Sequence, residues 1–129
     1  MKIYRPIIED TLELCNADGE VVKEIPFVIN VNQMYKTLVA KYAQLAAQVS
    51  VPEEDKEKTM EMVRDLCLSA FGKEVISETL DFFQDEESAY ASLVSCYVEK
   101  IYPLMIRLRA ETLEQKKKMN RYAETTDAD

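Results

Sequence analysis

Between Tyr90 and Ala110 apolar residues occupy almost every helical position. Helical spacing puts Tyr90, Val94, Tyr97, Ile101, Leu104 and Leu108 on one seam, and Leu93, Val98, Met105 and Ile106 widen it far beyond the usual stripe. The polar remainder is narrow: Ser92, Ser95, Glu99, Pro103 and Arg107. A helix with this pattern is either the middle of a bundle or a helix waiting for a partner. Pro103 interrupts it by removing a backbone donor and crowding the carbonyl of Glu99, at roughly 3 kcal/mol inside a helix. The helix therefore kinks or breaks there. The interruption either bends the helix around its neighbours or acts as a hinge that swings residues 104 to 120 onto a partner.

The upstream pattern switches from period two to helical period. Residues 2 to 8 read as a short strand or an arm, with Pro6 arguing against a central strand. Leu12 and Leu14 face one way and Glu13 the other; Asn16-Ala17-Asp18-Gly19 follows, then the β-rich run EVVKEIPFVI from 20 to 29. Asp-Gly between two such runs signals a hairpin with positive φ at both turn positions. Pro26 makes its second strand an edge or shortens it. A lone hairpin is marginal in water, so it lies on the helices or pairs with another chain.

Asn30, with Gln33 three residues on, reads as a capping box. Val31, Tyr35, Leu38, Tyr42, Leu45 and Val49 then repeat as an amphipathic helix. Ser50-Val51-Pro52-Glu53 opens a second helix whose first turn is acidic and whose inner face is Met60, Val63, Leu66, Cys67 and Ala70. Gly72 ends it. Lys73 to Phe83 is a short third helix with Ile76, Leu80 and Phe83 inward and Val75 and Phe82 beside them. Asp85 or Ser88 caps the fourth, which runs past Ala110 while its apolar pattern thins to Leu113 and Met119. The fold class is mainly α with an N-terminal β-hairpin (α+β): a four-helix bundle-like domain with a long, proline-kinked last helix. One domain covers residues 1–123, with the hairpin at 11–29 and helices at about 31–50, 52–71, 73–84 and 87–121; residues 124–129 form a disordered tail.

The length of 129 residues suits one domain, large enough to bury roughly two-thirds of its unfolded surface without disulfide or metal. The net charge of −8 is uneven: residues 53 to 87 hold 12 of the 24 acids but 4 of the 16 bases, so the remainder balances at 12 and 12. Such acidity disfavours nucleic acid, whose phosphates want a basic surface. Cys15, Cys67 and Cys96 are odd in number and widely spaced, which suggests a reducing compartment. No apolar run approaches 18 residues, and MKIYRPIIED carries acids too early for a signal peptide. The expectation is a cytoplasmic protein with no membrane contact.

Candidate chemistry is sparse. There is no histidine, no glycine-rich phosphate loop and no Cys-x-x-Cys pair. Glu53-Glu54-Asp55 lacks the alternating ligands and central glycine of a calcium loop, and it reads, like Asp85-Glu86-Glu87, as a solvated helix start. Paired acids could do acid–base work only if something held a proton on one of them, and nothing here does. The expectation is no catalytic residue, no cofactor and no metal. The seven tyrosines and six methionines fill a core or make an adaptable surface. Lys116-Lys117-Lys118, with Arg107, Arg109 and Arg121, suits a solvated helix end. It could also meet the acidic 53–87 segment of a neighbouring copy.

Asp65-Leu66-Cys67-Leu68-Ser69-Ala70-Phe71-Gly72-Lys73-Glu74 forms a helix, a Phe-Gly junction and a second helix, downstream of a hairpin, a helix and an acidic helix. This layout, over about residues 10 to 110, resembles the small tail assembly chaperones of long-tailed bacteriophages and prophages. The resemblance implies a protein that binds the long helical tape-measure protein while the tail tube polymerises, shields its apolar face, and leaves. It also implies a longer product made by frameshifting near the C-terminus, where Lys116-Lys117-Lys118 could be encoded by an A-rich run. The partner surface would be a helix-in-groove site, with Tyr97, Ile101, Tyr102, Met105 and Leu108 as candidates. A structural or adaptor subunit, whose hairpin adds to another copy's sheet, is the alternative. A transcriptional or signalling regulator is disfavoured by acidity and the missing basic recognition helix.

Overall fold

The computed structural model describes residues 1–51 and 55–127, with side chains described as far as Ala123. Two strands are followed by four helices, the last of them long and in three parts. The elements are β1 (Ile7–Cys15), β2 (Val21–Asn30), α1 (Val31–Val49), α2 (Lys56–Phe71), α3 (Lys73–Phe83) and α4 (Glu86–Cys96). A π turn (Tyr97–Ile101) then joins α4 to α5 (Tyr102–Asp127) without a break. The mainly α fold with an N-terminal hairpin is thus observed.

The strands pair antiparallel from Ile7↔Asn30 to Cys15↔Val21, with a register shift between Leu14 and Cys15. The turn is looser than Asp-Gly suggested. Five residues separate the strands, Gly19 alone among them has positive φ, and the Asn16 side chain accepts from the backbone N–H groups of Asp18 and Glu20 at 3.0 Å each. An Asn that caps its own loop replaces the tight two-residue turn. Period two sorts the faces: Ile8 and Leu14 from β1 and Ile25, Phe27 and Ile29 from β2 are buried against the helices. Phe27 meets Phe71 edge-on, ring centroids 5.3 Å apart. Pro26 pairs with Thr11 and stays exposed, as a proline can where both strands are edges. The Pro6 carbonyl accepts from Val31 N–H at 2.9 Å, tying the start of the hairpin to the start of α1.

Asn30 caps α1 through Gln33 N–H, at 3.2 Å. The second helix opens later than its sequence suggested. Ser50 closes α1, its hydroxyl donating to the Ala46 carbonyl, and Asp55 caps α2 by accepting from Glu57 and Lys58 N–H. The expected opening at Pro52-Glu53 lies outside the described residues. So does the end of the expected tail: α5 reaches Asp127, and nothing beyond it is described. In α3 the buried face is Val75, Ile76 and Thr79, one position round from the expected Ile76–Leu80–Phe83 seam, whose last two members are half-buried. The Thr79 hydroxyl is satisfied by the Val75 carbonyl at 2.7 Å.

The long helix settles the Pro103 question. It stays continuous, and the wide turn lies immediately before the proline, with Tyr102 N–H reaching back to the Tyr97 carbonyl. That turn opens room where the proline ring would meet the preceding carbonyls, and Glu99, Lys100 and Pro103 all face water. It also sets the seam. Leu93, Tyr97, Ile101 and Met105, spaced by fours, are each 2 % exposed or less. In a regular α-helix a spacing of four drifts by about 40° per step, and the π turn takes back much of that drift. Leu93 and Met105 are therefore inside, whereas Val94 and Leu104, expected there, are half-buried.

Two outcomes test this frame. Gly72 joins α2 to α3 at φ 87°, ψ 169°, a backbone region nearly confined to glycine, and a Cβ added there would meet nothing within 4 Å. Gly72→Ala should therefore cost about 1–3 kcal/mol of backbone strain alone, seen as a lower urea midpoint beside an unchanged Lys73→Ala control. Burial pushes the Cys67 thiol from 9.0 up to about 12. The unfolded chain ionises it first, so its contribution is intact below pH 9 and is lost as pH rises from 9 towards 12. Cys67→Ala should show a shallower loss of unfolding free energy across that window than the parent chain.

Candidate functional site

Four of the five residues expected to form a partner surface are core. Tyr97 is 1 % exposed, Ile101 2 %, Met105 0 % and Leu108 6 %; Tyr102 is half-buried. Their face is closed from within the chain. Tyr42 of α1 stacks obliquely on Tyr102 (4.9 Å between centroids) and Tyr97 (5.8 Å), and the Tyr97 hydroxyl donates to the Leu38 carbonyl at 3.4 Å. Burial, then Tyr102, then Tyr42, push the Tyr97 phenol well above its usual range, so it stays neutral. The reason for the misplacement is physical. A helix that is apolar all round is satisfied by neighbours, and α1 supplies the third side that the sequence pattern of one helix does not reveal. Residues 104 to 108 cannot swing out without exposing Met105 and Leu108.

The open apolar surface lies elsewhere, between α2 and α4. The Asp55 cap starts α2, and Asp85, which accepts the Ser88 hydroxyl, starts α4. Arg64 lies near Glu86, and Met60 shares a cleft with Val94, so the helices run antiparallel. Leu66 and Cys67 of α2 and Ala89 and Leu93 of α4 are buried, whereas Met60 and Val63 of α2 and Val94 of α4 are half-buried and line a cleft. The cleft has a volume of about 710 Å³. Met60, Val63, Tyr90, Ala91 and Val94 form its apolar floor and walls. Glu57 stands on the α2 wall, Glu86 and Glu87 on the α4 wall. Arg64 Nε donates to Glu86 Oε1 at 2.6 Å and bridges the walls. Exposed as it is, this pair adds little to stability, but it raises the Arg64 guanidinium further above its already high pKa and fixes one end of the opening.

The cleft combines an apolar floor with a few ionisable groups. Its ionisable groups are carboxylates, Lys56, Arg64 and the Tyr90 phenol, which burial raises. Among the described residues no group of three or more histidine, cysteine or acidic side chains could hold a metal ion. What the arrangement can do is receive an apolar segment along its floor, with polar contact to the charged side chains on its rims. Its α2 wall spans Lys56 to Arg64, about 13 Å along that helix, or roughly two and a half turns.

Sequence patterning pointed to the acidity of this region but not to the cleft. Met60 and Val63 were read as inner-face positions of α2, and Val94 as a seam position, and all three are half-buried where the helices part. The only signal available was the local charge excess beside half-apolar turns. No helix among the described residues is long and apolar enough to cross a membrane. No family model matches the chain, and neither a curated protein nor a solved structure matches it.

The placement of the seam generates a sharp expectation. Met105→Ala should cost about 2–5 kcal/mol, the range for emptying a well-packed core position, and Ile101→Asp should prevent folding by burying an unpaired charge. Thermal and urea unfolding read both; a folded Ile101→Asp chain of parental stability would contradict the core assignment.

Proposed function

We propose that this chain is a non-catalytic helix-binding protein that shields an apolar helix of another protein during assembly, as the resemblance to tail assembly chaperones implies. The observation that carries the proposal is the α2/α4 cleft, an apolar trough with Lys56, Glu57 and Arg64 on one rim and Glu86 and Glu87 on the other. Its complement is an amphipathic helix with basic residues flanking an apolar stripe. Such an interaction gives a reversible hold, because the floor supplies affinity in proportion to apolar area and the rims supply orientation and on-rate more than strength. A tape-measure protein, long and helical, is the partner that the resemblance implies. The cytoplasm, where such assembly happens, is the corresponding location.

A second reading has its own observation. β1 and β2 form a sheet of two strands, so each leaves a long edge unpaired, and Val21, Val22 and Val28 are exposed along β2. An edge of this kind invites strand addition from another chain, as a structural or adaptor subunit of a particle would use it.

Co-expression with a long helical tape-measure protein separates the readings. The chaperone reading expects that protein to become soluble in complex with this chain and expects this chain to be missing from finished particles. Ala91→Arg, at an exposed cleft position, should abolish the complex while leaving the unfolding midpoint of this chain within about 0.5 kcal/mol of the parent. Equal capture by Ala91→Arg would overturn the cleft as the binding site. Recovery of this chain from finished particles would favour the subunit.

A further inference from the structure

The last described stretch of α5 is the least used part of the molecule. Past Arg109 the helix leaves the body: from Ala110 to Ala123 every residue except Thr112 is exposed. It is also the basic part. From Arg107 to Arg121 the chain carries six bases and two acids, whereas residues 56 to 95, which build the cleft, carry nine acids and four bases.

The two regions are opposite in net charge, and the tip adds one exposed apolar side chain. Met119 follows Leu108 by eleven residues, three helical turns, so the face that buries Leu108 inside the body continues outside it as Met119, which is 64 % exposed. Lys116 and Lys118 flank that face on either side, and no ion pair holds either of them among the described residues. One exposed methionine with a lysine on each flank suits an apolar floor whose carboxylates, Glu57, Glu86 and Glu87, outnumber its bases, Lys56 and Arg64.

Within one chain the two cannot meet. Arg109 lies at the beginning of α1, where Nη1 donates to Asn32 Oδ1 at 3.1 Å and the guanidinium stacks on Tyr35. The tip projects beyond that end. The cleft lies towards the other end: Lys41 meets Asp65, and the cleft residues Lys56 to Arg64 precede Asp65 in the helix that follows the end of α1. Tip and cleft therefore point away from each other.

We propose that the basic tip of α5, residues 110–123, docks into the α2/α4 cleft of a second copy of this chain, head to tail. This rests on the reading of the cleft as a helix seat and names the occupant it has when no other helix is present. The contact is heterologous, so each copy offers one tip and one cleft, and copies add in series into a ring or an open string. A partner helix must displace a tip to enter, which keeps the apolar floor covered until that partner arrives.

Sedimentation velocity of the full chain, without any partner, tests the proposal. At low salt the parent should form species larger than a monomer, and these should dissociate as salt screens the rims. Ala91→Arg in the cleft and the double variant Lys116→Glu, Lys118→Glu at the tip should each be monomeric. Mixed in equal amounts they should form a dimer and nothing larger, because the mixture holds one sound tip for each sound cleft. Ser95→Arg, also exposed on the cleft wall, serves if Ala91→Arg loses its far-ultraviolet circular dichroism. A parent that is monomeric at every concentration and salt overturns self-docking, as do oligomers that survive either variant. Neither result touches the cleft as a partner site, which the capture experiment scores separately.

Discussion

The burial of one seam, Leu93, Tyr97, Ile101 and Met105, organises the chain. These four side chains come from a single helix, yet elements from both halves of the sequence close over that helix. α1 brings Leu38 and Tyr42 to Tyr97, while Leu12 and Leu14 of β1 share a cleft with Leu93, Thr79 and Phe83. The spacing of four is incompatible with a straight α-helix over that length, and the π turn reconciles it with one buried face. The same turn accommodates Pro103, so one local irregularity resolves two constraints. Each side chain buried in this way contributes on the order of 1.5–3 kcal/mol, and loss of the seam would free the hairpin, which is too small to persist alone.

A closed seam decides where apolar helix surface stays open. Because the most apolar helix is used up internally, open helix surface remains where packing stops early: the cleft between α2 and α4, and the run of α5 beyond the body. Both are built from ordinary amphipathic helices cut off from their last neighbour. Their regions are opposite in net charge, nine acids and four bases over residues 56 to 95 against six bases and two acids from Arg107 to Arg121. The Arg64–Glu86 pair spans the cleft walls without filling it.

The sequence announced the hairpin, the cap at Asn30, the helix start at Asp85 and the Gly72 junction through local chemistry, because each depends on residues within a few positions of one another. It misled wherever two distant segments had to be seen together. Tyr97, Ile101, Met105 and Leu108 looked like a surface because nothing in their own helix reveals that α1, some 60 residues earlier, covers them. Val94 looked like seam because the π turn, which rotates the helix below it, has no pattern of its own beyond the fours and the proline. The cleft was illegible for the same reason: it is the space between Met60 and Val94, and space between helices leaves no period in either. Ser50, a plausible cap for α2, instead closes α1, since Asp55 competes better with two backbone acceptances.

Hydrogen exchange of the full chain, with and without a bound partner helix, tests the central claim that this protein works by seating a helix between α2 and α4 while its core stays shut. The account predicts that binding slows exchange in residues 56–64 and 86–95, leaves the strands unchanged, and leaves the slowest core amides, those around Tyr97 and Ile101, as slow as before. Protection that instead appears along Ile7–Cys15 or Val21–Asn30, or exchange that accelerates around Tyr97 as the seam opens to receive the partner, would contradict it.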